Sequence, residues 1–242
     1  MTDNRFVFVA PMFNASKTLA RMLHSVCGQS YTRWKLILID DVSDLHHASL
    51  QQKIIDSFLT TNNTYDINVI WNGSKMWEVA NVLHGISLCN DDDIICRIDA
   101  DDALCDLDAL AIMNETYVAT GCDVAWSNHR WGLSDKNISG SMVQGVDVYR
   151  HPWCASHLKT FKKALINEVN DENFLGKDGQ YIKRAGDQAI FLPVLHKSKK
   201  WVHVPRALYS YTIDDVPETY ETDDAKFQQE EALFLRARGY VQ

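Results

Sequence analysis

The stretch Ile94-Ile95-Cys96-Arg97-Ile98-Asp99-Ala100-Asp101-Asp102 constrains this chain more than any other. Its β-branched apolar run reads as a buried strand that ends in three closely spaced aspartates. Carboxylates crowded at a strand end repel one another and call for a cation. Oxygen donors suit the hard ions Mg2+ and Mn2+, which commonly complete their shells with substrate phosphates. The stretch therefore predicts a metal–diphosphate site at a strand's carboxyl end, with a solvated acidic loop as the plain alternative.

Three apolar runs precede it. Phe6-Val7-Phe8-Val9-Ala10 is a strand that Pro11 is expected to stop, and Lys35–Ile39 and Ile67–Trp71 are two more. Between them lie segments of helical period: Leu19, Met22, Leu23 and Val26 after an N-cap at Ser16; Leu50, Ile54, Ile55 and Phe58 within 47–58; and a helix carrying Trp77, Ala80, Leu83 and His84. Such β-α-β-α-β-α-β alternation, with runs apolar on both faces, predicts a parallel sheet covered by helices. Right-handed crossovers then bring Asp40-Asp41-Val42-Ser43-Asp44, after the second run, to the same sheet edge as Asp99–Asp102. Open α/β sheets bind ligands at that carboxyl edge.

The second half is less regular. Leu107, Leu110, Ala111, Asn114 and Val118 predict a helix, and Val124–Ser127 a strand. Residues 132–145 read as a loop or hairpin, and 157–169 and 187–196 as helices. Two short strands, 201–204 and 207–211, flank Pro205-Arg206, and 222–238 reads as an amphipathic terminal helix. One domain over 1–242 is expected, with a regular half to about 102, a less regular half over 103–212, and a helical tail over 213–242.

The formal net charge of -8 argues against nonspecific grip on a polyanion, although lysines at 159–163 and 197–200 keep a local basic patch in view. The six scattered cysteines form no C-x-x-C pair and suit a reducing compartment. The N-terminal residues lack a signal-peptide layout and no apolar run approaches a membrane span, so a cytoplasmic location is expected, in a bacterium or in a viral host.

Several of these landmarks resemble family 2 glycosyltransferases of the GT-A fold. Ala10-Pro11-Met12-Phe13-Asn14-Ala15-Ser16 is similar to that family's opening, Asp40–Asp44 to its nucleotide-binding turn, and Asn72-Gly73 with Ala80-Asn81 to its next landmark. Asp99-Ala100-Asp101-Asp102 resembles its D-x-D metal motif. Ala185-Gly186-Asp187-Gln188 stands where the family usually carries Glu-Asp, with Gly186 in the glutamate's place, and Val42 stands where glycine is common. The resemblance implies a nucleotide-diphosphate sugar donor, a uridine one above all, held by Pro11, Phe13, Asn14, Asp41, Asn81, Asp99 and Asp101. It implies Mn2+ or Mg2+ on Asp101 with Asp99 or Asp102, and Asp187 as the base of an inverting transfer. Trp153, His157 and Lys159 fall in a segment similar to bacterial and viral members and are candidates to meet the acceptor. That acceptor is left open among a glycan, a lipid-linked glycan, a protein and a modified nucleic acid base.

Each assignment has a plainer counterpart. Asp41 could cap the helix near His47, and Asp187 could be an N-cap. Trp126, Trp131, Trp153 and Trp201 could serve the core, and Lys159, Lys162 and Lys163 could share one solvated helix face. A dehalogenase-type phosphatase also uses D-x-D, but as its first strand's motif and with a hydroxyl residue where Ala103 stands. A nucleotidyltransferase needs a Gly-rich basic loop that Met12–Ala15 does not supply. A sugar-nucleotide or glycan-binding module without transfer activity and a viral DNA-base glycosyltransferase complete the alternatives.

Overall fold

The computed structural model describes residues 3–61, 64–132, 134, 136–212 and 222–242. The first half alternates as its pattern predicts: β1 (Phe6–Met12), α1 (Leu19–Cys27), β2 (Trp34–Asp40), α2 (Leu45–Thr61), β3 (Ile67–Trp71), α3 (Trp77–Ser87) and β4 (Ile94–Arg97). The four strands pair in parallel, in the order β3-β2-β1-β4. Strand alternation divides the core in two. Phe6, Phe8, Leu36 and Leu38 pack under α1, whereas Val7, Val9, Ile37 and Ile39 pack with Val79, Val82 and Ile86 of α3. Covering both faces is what a parallel sheet requires.

Pro11 does not stop β1; it pairs with Ile39. The ladder to β4 ends at Val9 and Arg97, so the missing N–H of Pro11 faces a side with no strand to bond. Ser16 does not cap α1 either: Thr18 holds the cap position, and the Ser16 hydroxyl meets His47 at 2.8 Å.

The second half extends the sheet with β5 (Ala103–Leu104), β6 (Val124–Trp131), β7 (Lys159–Lys162) and β8 (Trp201–Tyr211), alongside α4 (Ala109–Thr120), α5 (Gly186–Lys197) and α6 (Asp223–Arg238). Among the described residues the complete order is β3-β2-β1-β4-β7-β6-β8-β5. Two expectations fail here. Residues 157–169 are not one helix: 159–162 form β7, antiparallel to both β4 and β6, and short 3-10 turns follow. Pairing between two strands overrides local helical spacing, and Thr160 bonds Ala125 O across the gap at 2.9 Å. The expected shared lysine face disappears with the helix. Pro205-Arg206 does not separate two strands but sits within β8, where the register against β6 shifts in a bulge. The helix expected from Leu107, Leu110, Ala111, Asn114 and Val118 is present as α4; its buried residues are Ala109, Leu110, Met113 and Tyr117, while Leu107, just ahead of its first residue, and Val118 are exposed. The expected start of the C-terminal tail at 213 lies outside the described residues.

Candidate active site

The acidic run after β4 lies at the carboxyl edge of the sheet, where strand direction predicts a site. Its three carboxylates have different surroundings. Asp102 is buried, accepting the Tyr209 O–H on Oδ2 at 2.7 Å and the Thr212 N–H on Oδ1 at 2.7 Å. Burial, with the anions Asp99 and Asp101 beside it, pushes its carboxyl up to about 8. Asp99 is half-buried and accepts from Arg97 at 2.6 Å, and Asp101 is exposed at the rim. Among the described residues, Asp99, Asp102 and His157 bring one ligand atom each within 4.8 Å of one another; the Asp101 side chain is not part of that group.

Asp187 stands in the first turn of α5, on a third element. Its Oδ1 accepts from the Lys159 ammonium at 2.5 Å, and Oδ2 lies 3.8 Å from His157 Nε2. Burial, the largest single influence, favours a proton on Asp187, but Lys159 together with the other positive groups around it, Arg97 among them, holds the carboxyl well below the usual carboxylate range. Burial, reinforced by Lys159, lowers His157 to about 3 and keeps its imidazole neutral. The ring stacks on Tyr209 at 4.6 Å and 12°. Lys159 is buried in β7, opposite Arg97 in the ladder, so pairing of β7 with β4 carries the lysine to the acid cluster. A cavity of about 210 Å3 opens beside Asp187 and His157, with Trp131, Trp153, Tyr211 and Gln188 in its walls.

The three crossover loops of the parallel half meet at the same edge. Asn14 and Asp44 exchange bonds of 2.9 and 3.1 Å, and Asp41 N–H donates to Met12 O at 2.9 Å. Buried Gln51 ties Asp40 to Ala15 N–H. Asp41 does not cap α2. It accepts the Met76 N–H at 2.7 Å and the Trp77 N–H at 3.0 Å, which anchors the start of α3. Asn81 is buried and accepts from Asn72 at 2.7 Å. Exposed Phe13 stacks under the Lys75 ammonium, 3.3 Å from its ring centroid.

Two further carboxylates support the site. Glu78 Oε1 accepts from the Arg97 nitrogen that also bonds Asp99, at 2.6 Å, and its carboxylate lies against Gly186. Burial, with Asp99 and Asp187 nearby, lifts Glu78 to about 7 against the pull of Arg97. Glu231 of α6 accepts the N–H groups of Lys183, Arg184 and Ala185, immediately before Asp187. Arg236 reaches the Gln188 side chain at 2.7 Å.

Residues 7–164 match the sequence model of Glycosyl transferase family 2. The chain belongs to that family. The chain resembles the 1–349 fragment of S. aureus TarS solved with UDP-GlcNAc, at 16% identity and a TM-score of 0.74, over 98% of this chain and 68% of that one. A longer structure of S. aureus TarS aligns at 16% identity and a TM-score of 0.67, over 86% of this chain and 37% of its own. The mannosyltransferase PcManGT from Pyrobaculum calidifontis, solved with GDP-Man and Mn2+, aligns at 12% identity and 0.63, over 90% of this chain and 59% of its own. At these identities the likeness is one of fold, the GT-A fold. This chain spans between 37% and 68% of the length of those chains. No curated protein matches it by sequence. No helix of the described residues is long and apolar enough to cross a membrane.

Five residues that build this site were not legible as such in the sequence: Arg97, Glu78, Tyr209, Gln51 and Glu231. Arg97 left a signal, since a cation inside an apolar strand just before a row of acids needs a partner. The others left none, because their contacts join distant parts of the chain.

Proposed function

We propose that this glycosyltransferase uses a divalent metal and a uridine-diphosphate sugar, and transfers the sugar with inversion to an acceptor hydroxyl. The observation that carries the reading is the adjacency of two sites: an ionised, lysine-held Asp187 facing a cavity, beside the ligand group Asp99, Asp102 and His157. The donor set fits a cation. Two carboxylates and a neutral imidazole suit Mn2+ somewhat better than Mg2+, and a buried Asp102 flanked by anions lacks the positive charge an ion would bring. Asp99 and Asp102 would hold the ion, with Asp101 facing the donor from the rim. When bound, the ion supplies Lewis-acid stabilisation of the departing diphosphate.

The chain's own residues account for the rest. The loop Pro11–Asn14 and Asn81, which braces Asn72, shape the nucleotide side, and Phe13 with Lys75 offers a ring face and a cation there. Asp41 accepts from Met76 and Asn72 on Oδ1 and from Trp77 on Oδ2, with Lys75 3.7 Å from Oδ2, which leaves one lone pair of Oδ2 to accept a base N–H. The uridine assignment rests on that acceptor and on the likeness to a TarS fragment solved with UDP-GlcNAc. Asp187 takes the proton of the acceptor hydroxyl on Oδ2, the oxygen that Lys159 does not occupy. Lys159 keeps that carboxylate ionised and aimed, and Trp131 and Trp153 provide faces for a sugar ring.

The test is a nucleotide-sugar panel assayed with Mn2+ and with excess EDTA. Divalent-dependent release of UDP from a UDP-sugar is expected. Turnover unaffected by EDTA would remove the metal, and a preference for GDP-sugars would remove uridine. In the same assay Asp41→Asn should weaken UDP binding by roughly 1.5–3 kcal/mol, the worth of a charged hydrogen bond.

A further inference from the structure

We propose that Glu78 is a positioning residue of the transfer site, a carboxylate that α3 delivers into the space a side chain at position 186 would need. The assignment rests on the function proposed above, because the groups it positions are Asp99 and Asp187.

Gly186 carries the first observation. It is buried in the first turn of α5 and has no left-handed backbone to demand glycine. Glycine is a poor helix former, so another cause must hold it there. A Cβ built on Gly186 would fall 2.3 Å from the Glu78 carboxyl carbon and 2.4 and 2.5 Å from its two oxygens. Position 186 is glycine because the Glu78 carboxylate rests on its backbone, one residue before Asp187.

Arg97 carries the second. One guanidinium nitrogen donates to Glu78 Oε1 and to Asp99 Oδ1, each at 2.6 Å, and the side chain is 6% exposed. Arg97 also faces Lys159 in the β4–β7 ladder, and Lys159 holds Asp187. Two buried cations thus stand side by side among the carboxylates of Glu78, Asp99 and Asp187. Glu78 takes a share of the Arg97 charge. Without it the guanidinium would bear on Asp99 alone and compete with any cation that Asp99 is to hold. Its contact with Gly186 also sets the height of the turn that presents Asp187. Glu78 therefore couples the two ends of the site through one arginine.

An exchange experiment separates carboxylate chemistry from space filling. The variants are Glu78→Gln, Glu78→Ala/Gly186→Asp and Glu78→Ala/Gly186→Asn. The double variants carry isosteric side chains whose Cβ falls 2.3 Å from the position of the present Glu78 carboxyl carbon, and only aspartate is charged. Mn2+ affinity is measured by calorimetry without nucleotide, beside single-turnover transfer and melting temperature. Glu78→Gln should lose about tenfold or more in Mn2+ affinity and in transfer rate, the scale for groups that orient metal ligands, with little change in melting temperature. Glu78→Ala/Gly186→Asp should regain most of both, and Glu78→Ala/Gly186→Asn should regain neither. Wild-type affinity and rate in Glu78→Gln, or equal recovery in the two double variants, would reduce Glu78 to packing and overturn the proposal. A wild-type protein that binds no Mn2+ and transfers no sugar overturns the proposed function and this role with it. An active wild type with indifferent Glu78 variants overturns this role alone.

Discussion

The two halves of the sheet build their share of the site by different physics. In the parallel half, β1, β2 and β3 each run into a loop at the carboxyl edge, and each connection holds a non-glycine residue in the left-handed region: Asn14 at φ 53 and Val42 at φ 63 in their loops, and Trp77 at φ 66 where the third loop enters α3. These are the only such residues among those described, so backbone strain is concentrated where three crossover loops must turn tightly around one crevice. The half around β7 has no such residue. There the site is held by buried charge, with Lys159 fixing Asp187 and Tyr209 and Thr212 fixing Asp102. The parallel half shapes a surface through its backbone, and the mixed half around β7 aims side chains through ion pairs and hydrogen bonds.

The largest effect should come from the point where the halves meet. Asp102→Ala removes a ligand of the proposed cation and the acceptor for Tyr209 and Thr212, and divalent-dependent turnover should vanish. Asp101→Ala, at the rim, should leave measurable Mn2+ binding. Calorimetry on both variants decides it: an Asp102→Ala protein that binds Mn2+ normally removes the ligand group from the mechanism. Next is Asp187→Asn, which should slow single-turnover transfer by at least ~10²-fold with donor affinity retained. It should also lower the melting temperature, since it strands the buried Lys159 ammonium, a loss on the order of 3–5 kcal/mol. Adding Lys159→Met should recover stability without recovering rate. If rate returns with stability, Asp187 is structural and the charge-aimed half loses its base.

Two smaller effects contrast support in the two halves. Glu231→Gln keeps the shape but weakens the acceptor for three N–H groups before Asp187. A destabilisation of roughly 1.5–3 kcal/mol and a lower kcat at constant donor KM are expected. A changed donor KM with constant kcat would place α6 on the nucleotide side instead. Val42→Gly should stabilise the protein by about 1 kcal/mol, because glycine relieves a β-branched residue at φ 63 and returns part of that gain as chain entropy. Chemical denaturation reads it, and a destabilised variant would show that packing of the Val42 side chain outweighs the strain.

Legibility in the sequence followed the same division. The parallel half could be read because apolar period, turn residues and acid clusters lie close together in the chain, and right-handed crossovers carry strand ends to one edge. Asp40, Asp41, Asp99 and Asp102 stand there as that logic requires. It failed for 157–169, where Lys159 and Lys162 at helical spacing misled and a strand pair decided the conformation. The plainer alternative for Asp41, a cap on the helix near His47, fails for the same reason: its partners are the first N–H groups of α3, far along the chain.

By itself the chain determined a parallel α/β frame, an acid-lined edge and membership in a transferase family, because those follow from local hydrophobic period and short motifs. Tertiary structure alone decided that Lys159 would be buried against Asp187, that His157 would join Asp99 and Asp102, and that Glu78 would occupy the space beside Gly186. These pairings join residues brought together by β7 entering between β4 and β6 and by α3 packing against α5. No local pattern encodes them, since the cost of burying each charge is offset only by a partner that the completed fold supplies.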